Sequence, residues 1–95
     1  MALAIPDYRQ DLRDQLRRAS SSMVLNLAEG AGEFRASDKA RFYRFSRRSG
    51  GECLAILDLV LPMLPAPPPA GVREGLLGVL ETVDKLAHAI HRRRE

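Results

Sequence analysis

The spacing of apolar residues constrains this chain more than any other feature. Leu12, Leu16, Ala19, Met23 and Leu27 recur at steps of four, three, four and four, which puts them on one face of an α-helix. Val72, Leu76, Val79, Val83, Leu86 and Ile90 repeat that rhythm as a heptad seam. Leu77, Leu80 and Ala87 widen the seam, and the width predicts contact with two neighbours. Between the two, Phe42, Phe45, Ser49, Cys53, Ile56 and Val60 form a third stripe predicted to face inward. No alternating, strand-like run bounded by turn residues appears. The chain is read as all-α and as one domain over 1–95, with helices at about 7–29, 37–61 and 71–93.

Punctuation residues set the expected ends. Pro6 and Asp7 supply a start signal for the first helix, and Gly30 with Gly32 a stop, because a left-handed residue after a helix is usually glycine. Ser20, Ser21 and Ser22 lower helicity but let another helix come close. Ser37 is the expected N-cap of the second helix, with Asp38 in its first turn. Gly50 and Gly51 each cost roughly 1 kcal/mol in mid-helix relative to Ala, so they imply a tight backbone contact, a candidate subunit boundary. Pro62, Pro65, Pro67, Pro68 and Pro69 make 62–70 a stiff connection.

Charge separates the helices further. The 95 residues carry a net charge of +3, yet Arg35, Lys39, Arg41, Arg44, Arg47 and Arg48 lie in a segment whose only acid is Asp38. Arg41, Arg44 and Arg48 fall within about 60° of one another on a helix, beside the apolar stripe. Arg13 and Arg17 make a similar edge on the first helix, and Arg92, Arg93 and Arg94 add a basic end. Surface pairing is the alternative use of these groups, with Asp14 in reach of Arg18 and Arg48 in reach of Glu52. One acid cannot neutralise the whole segment, so nucleic-acid phosphate is the expected partner.

The stretch from Leu12 to Gly30, followed by Phe42, Phe45, Ser49 and Glu52, resembles the bacterial four-helix-bundle family, also called the 23S rRNA intervening-sequence protein family. Gln15, Arg17, Arg18, Ala19, Ser22, Asn26, Ala28, Glu29 and Gly30 match its "dQlrRA..SI..NiAEG" helix. Ser49 and Glu52 match the "F..FL.iA.GS..E" of its second helix. The resemblance implies an antiparallel helical bundle that assembles into homo-oligomeric rings, commonly pentamers. Some members are similar to accessory proteins of retroelements that bind nucleic acid and a reverse transcriptase through a basic surface. No enzymatic activity is implied. Three departures stand out: the family carries a helix ahead of this motif where Met1 to Pro6 stand here, Arg48 replaces a small glycine, and Glu33 replaces an arginine. The vacant helix position implies an open apolar groove covered by another subunit.

Other chemistry is thin. Asn26, Glu29 and Glu52 offer carboxylates for acid–base or metal work, but cross-helix hydrogen bonding that fixes register is the expected use of these groups. His88, His91 and Cys53 lack a paired metal-ligand spacing, and Cys53 falls on the apolar stripe, away from any activating base. No cofactor, metal or catalytic residue is expected. The run from Leu54 to Ala70 is broken by Asp58 and prolines, so no membrane span is expected, and the chain reads as cytoplasmic. Two functions follow: RNA or DNA binding through the arginines, or docking of a partner helix against Leu12, Leu16, Met23 and the third-helix seam.

Overall fold

The computed structural model describes residues 4–94, with side chains through Ile90. His91, Arg92, Arg93 and Arg94 therefore lie outside the described side chains. Helix α1 spans Gln10–Gly32, α2 spans Ala36–Val60 and α3 spans Val72–Arg94, with short 3₁₀ turns at Asp7–Arg9 and Leu61–Met63. The described residues contain no strand.

Helix α1 starts later and ends later than its punctuation suggests. Asp7 does not cap it; its carboxylate takes a hydrogen bond from Arg13 at 3.0 Å, and the same arginine donates to the Ile5 carbonyl at 2.6 Å. This tether helps seat Ile5, which is 4% exposed, in the core. Gly30 and Gly32 are not left-handed, since Gly71 (φ 87°) is the one positive-φ residue among those described. Gly30 instead sits inside the helix, where an added Cβ would lie 2.6 Å from the buried Tyr43 ring. Close approach of α2 selects the glycine there. The helix stops when Glu33 turns extended, and Lys39 reaches back to donate to the Gly30 and Ala31 carbonyls at 3.1 and 3.2 Å. A cation at those orphan carbonyls also suits the helix dipole. Helix α2 begins one residue before Ser37, and no side chain caps it.

Helix α2 lies between the other two. Cys53, Ile56, Leu57 and Val60 pack in one cluster with Ile5, Leu12, Leu16 and Ala19, which Leu76 of α3 joins. Ala40 and Tyr43 pack in a second cluster with Val83 and Ile90 of α3 and half-buried Leu27 of α1. Serving two neighbours shifts the buried arc of α2. Tyr43 and Ser46 point inward, whereas Phe45, read as an inward residue, is 43% exposed and Phe42 is half-buried.

The seam of α3 shifts likewise. Leu80 is buried, while Val79 and Leu86 are each 39% exposed, because α3 rests chiefly on one helix rather than two. Gly50 marks the point where all three helices meet: a Cβ there would collide with the Leu80 side chain and lie 2.9 Å from Met23 Sδ. The contact is within the chain and not a subunit boundary. Gly51 has no such neighbour, its nearest atom being Arg47 Nη1 of its own helix at 3.4 Å.

Candidate nucleic-acid interface

The six basic residues grouped by sequence divide in space according to what lies within their reach. Lys39 is occupied at the end of α1. Arg47 clasps Asp84 of α3 through Nε, at 2.9 and 3.1 Å from its two carboxylate oxygens. Arg41 stands 4.0 Å from Asp38 and 5.2 Å over the Phe42 ring. Arg44 and Arg48, both exposed on the outward side of α2, and Arg35 ahead of it have no carboxylate within 4.0 Å among the described residues. The anticipated Asp14–Arg18 and Arg48–Glu52 pairs are not formed. Arg9–Asp11, Arg13–Asp7 and Arg73–Asp58 form instead, all between exposed or partly exposed groups. The loss of Arg13 to its tether removes it from any basic edge on α1.

The residues that carried the family resemblance fall along the α1–α2 contact. Ser22 and Ser49 share a hydrogen bond of 2.8 Å between hydroxyls. Asn26 donates to the Ser22 carbonyl at 2.8 Å and to its hydroxyl at 3.1 Å, which pins that pair from one side. Ser46, passed over in the sequence, is fully buried and donates to the Met23 carbonyl at 2.7 Å. Its signal is the 43–46–50–53–57 spacing of small and apolar residues, which outlines the true inward face. Glu29 is exposed at the far end of α1.

Gln15, Arg18, Arg48 and Glu52 make no such seam bonds. With Asn26 and Phe45 they line an open groove of about 720 Å³ between α1 and α2, bottomed by Ala19, the Ser22–Ser49 pair and Ile56. This groove is not the one expected for a partner helix. Leu12 and Leu16, assigned to that role, are 4% and 3% exposed in the chain's own core, and of the α3 seam Leu76, Val83 and Ile90 are buried while Val79 and Leu86 are exposed.

Cys53 is 1% exposed, and burial, with the nearby Glu52 charge adding to it, pushes its thiol up and away from the reactive thiolate. Among the described residues no group of three or more His, Cys, Asp or Glu side chains converges on a metal-sized site. No described helix is long and apolar enough to cross a membrane.

The family model described as 23S rRNA-intervening sequence protein matches residues 4–63, from the segment that buries Ile5 through α1, α2 and the turn at Leu61–Met63. No curated protein and no solved structure matches the chain. Helix α3 lies outside the match, whereas the groove and the arginine face lie wholly within it. On a match covering more than half of its length, the chain belongs to the 23S rRNA-intervening sequence protein family.

Proposed function

We propose that this protein is a non-enzymatic, oligomeric helical bundle that binds RNA through the phosphates. One observation carries the reading: Arg44 and Arg48 stand unpaired on the outward side of α2 beside Arg41, and Arg18 adds its charge from across the groove. These guanidinium groups outnumber the acids among them, Asp38 beside Arg41 and Glu52 in the groove, so an added anion relieves their mutual repulsion, and the arginine fork suits phosphate oxygens. Arg35 assists from the start of α2. Lys39 and Arg47 contribute charge at longer range, since their side chains already hold the fold together.

The order of the α1–α2 contacts supports an antiparallel pair, since Gly30 meets Tyr43, Met23 meets Ser46 and Ser22 meets Ser49. Oligomerisation is supported by exposed apolar residues away from the groove. Val24 lies about 200° around α1 from Ser22. Val24 is 59% exposed, and Val79 and Leu86 share one face of α3. Copies joined through these residues leave the arginine face outward, and repetition around a closed ring multiplies its field.

The reading is tested by binding an RNA of unrelated sequence across a salt series. The apparent affinity falls steeply as salt rises, and replacing Arg41, Arg44 and Arg48 by Glu abolishes it. An affinity flat in salt, or indifferent to the three replacements, overturns the reading. Native mass measured on the same samples tests assembly separately; a single-chain mass at micromolar concentration removes the ring.

A further inference from the structure

Two aromatic side chains serve neither the core nor the hydrogen-bonded seam. Phe34, in the connection between α1 and α2, is 99% exposed, and Phe45 is 43% exposed on the outward side of α2. Each is flanked by cations that lack a carboxylate partner among the described residues: Arg35 follows Phe34, Arg44 precedes Phe45, and Arg48 lies one turn beyond it. Phe45 is also held in place. Its ring meets Phe42 edge to face, with centroids 6.3 Å apart and planes at 82°, and Arg41 covers Phe42. A ring already fixed loses little freedom when something stacks on it.

Phe45 opens into the α1–α2 groove, and the polar groups there are of a kind that bases recognise. Asn26 spends its amide N–H groups on Ser22, which leaves its carbonyl oxygen as an acceptor. Gln15, toward the other end of the groove, is engaged in no hydrogen bond among the described residues and offers both donor and acceptor to a neighbouring nucleotide. Arg18 and Arg48 stand at the groove with cationic donors, and Glu52 lines it as well with a carboxylate that accepts from a base N–H. An aromatic ring with an amide carbonyl across from it, bordered by guanidinium groups, matches an unpaired base joined to its phosphates. A duplex offers the phosphates but keeps the faces of its bases stacked.

We infer that the α1–α2 groove receives an unpaired nucleobase stacked on Phe45, with Phe34 as a second stacking platform, so that the partner is single-stranded nucleic acid. The inference rests on the RNA-binding reading above and adds a demand that phosphate contacts alone do not make. A twelve-nucleotide oligouridylate and a twelve-base-pair RNA duplex are bound at matched salt. The single strand binds at least about tenfold more tightly. Phe45→Ala weakens the single strand about tenfold while leaving duplex affinity and the salt slope unchanged, and Phe34→Ala has a smaller effect in the same sense. Because the chain has no tryptophan, Phe45→Trp supplies one fluorophore, which oligouridylate quenches and duplex does not. Equal affinity for the two probes, equal weakening of both by Phe45→Ala, or unquenched Phe45→Trp overturns the inference while leaving phosphate binding intact. Absence of salt-dependent binding to either probe removes both readings together.

Discussion

The two faces of α2 share apolar packing but differ in what accompanies it. Toward α1 the apolar cluster of Leu12, Leu16 and Ala19 with Cys53, Ile56 and Leu57 is joined by small and polar groups at fixed stations: Gly30 under Tyr43, Ser46 on the Met23 carbonyl, and the Ser22–Ser49 bond with Asn26 behind it. Toward α3 the contact is made by Leu76, Leu80, Val83 and Ile90, with ion pairs Arg47–Asp84 and Arg73–Asp58 along the edge. Apolar packing is non-directional and tolerates shape changes of similar volume, whereas each hydroxyl bond or glycine contact allows one register. The hydroxyl and glycine stations of the α1–α2 pair thus fix where the groove residues stand relative to one another, while α3 adds a contact made mainly by burial. This division coincides with the family match, which includes the first contact and stops before α3.

Truncation on the α3 side gives the largest effect. Leu80 is 4% exposed, and Leu80→Ala lowers unfolding free energy by about 3 kcal/mol through lost transfer and a cavity over Gly50. Leu80→Met keeps the volume and costs under about 1.5 kcal/mol. Urea melts of the two variants check the contrast. A Met variant as unstable as the Ala variant shows that this face, too, depends on shape.

The α1 side responds instead to added volume. Gly30→Ala gains helix propensity of up to about 1 kcal/mol, yet its methyl group meets the Tyr43 ring at 2.6 and 2.8 Å. The ring is 5% exposed and cannot swing away cheaply, so the net loss is about 1–2 kcal/mol. Adding Tyr43→Leu recovers part of that loss in a double-mutant cycle. Additive effects would mean that Gly30 is there for a reason other than close approach.

Much of this was legible in the sequence, and the gaps have a common cause. The three helices follow from a period that any chain of this length must satisfy by burying one stripe on another. The glycine at 30 was visible as necessary but assigned the wrong reason, because a terminator and a close-contact site use the same residue. Phe42 and Phe45 looked inward because large aromatics usually are, while the buried arc of α2 depends on its two neighbours and favours Tyr43 and Ser46. The basic cluster was legible as a group, but which arginines are free was not. Arg47 lies 37 residues from Asp84, and only the docking of α3 decides their pairing. The groove became visible in the sequence only as a set of residues shared with a family, with no hint that they stand side by side.

Glycines on α3 offer a smaller, stabilising test. Gly75 and Gly78 have no neighbouring atom within 4 Å of a would-be Cβ, and neither has positive φ. Gly75→Ala and Gly78→Ala each raise the stability of the single chain by about 0.5–1 kcal/mol. Both lie on the flank that carries Val79 and Leu86. If that flank seats a second copy closely, the same variants lower the native mass while raising the melting temperature, a divergence that monomer packing alone does not produce.

The smallest effect concerns the edge of the α3 contact. Arg73 donates through Nε and Nη2 to the two Asp58 carboxylate oxygens at 2.8 and 3.3 Å, and this bonding holds the carboxyl below the usual aspartate range, against partial desolvation. The opposite shift appears on Arg73, raised by the same bond. A carboxyl depressed in the folded state stabilises it above the unfolded pKa of about 3.9, and that contribution is lost as pH falls through the folded value. Arg73→Met therefore moves the Asp58 midpoint in a carboxylate NMR titration up toward about 3.9 and flattens the acid limb of the stability profile. Both groups are well exposed, so the change in stability at neutral pH is slight and shrinks further with salt. A midpoint unmoved by Arg73→Met would show that the bond to α3 is not what lowers it, and would leave apolar packing and the Arg47–Asp84 pair to hold that helix in place.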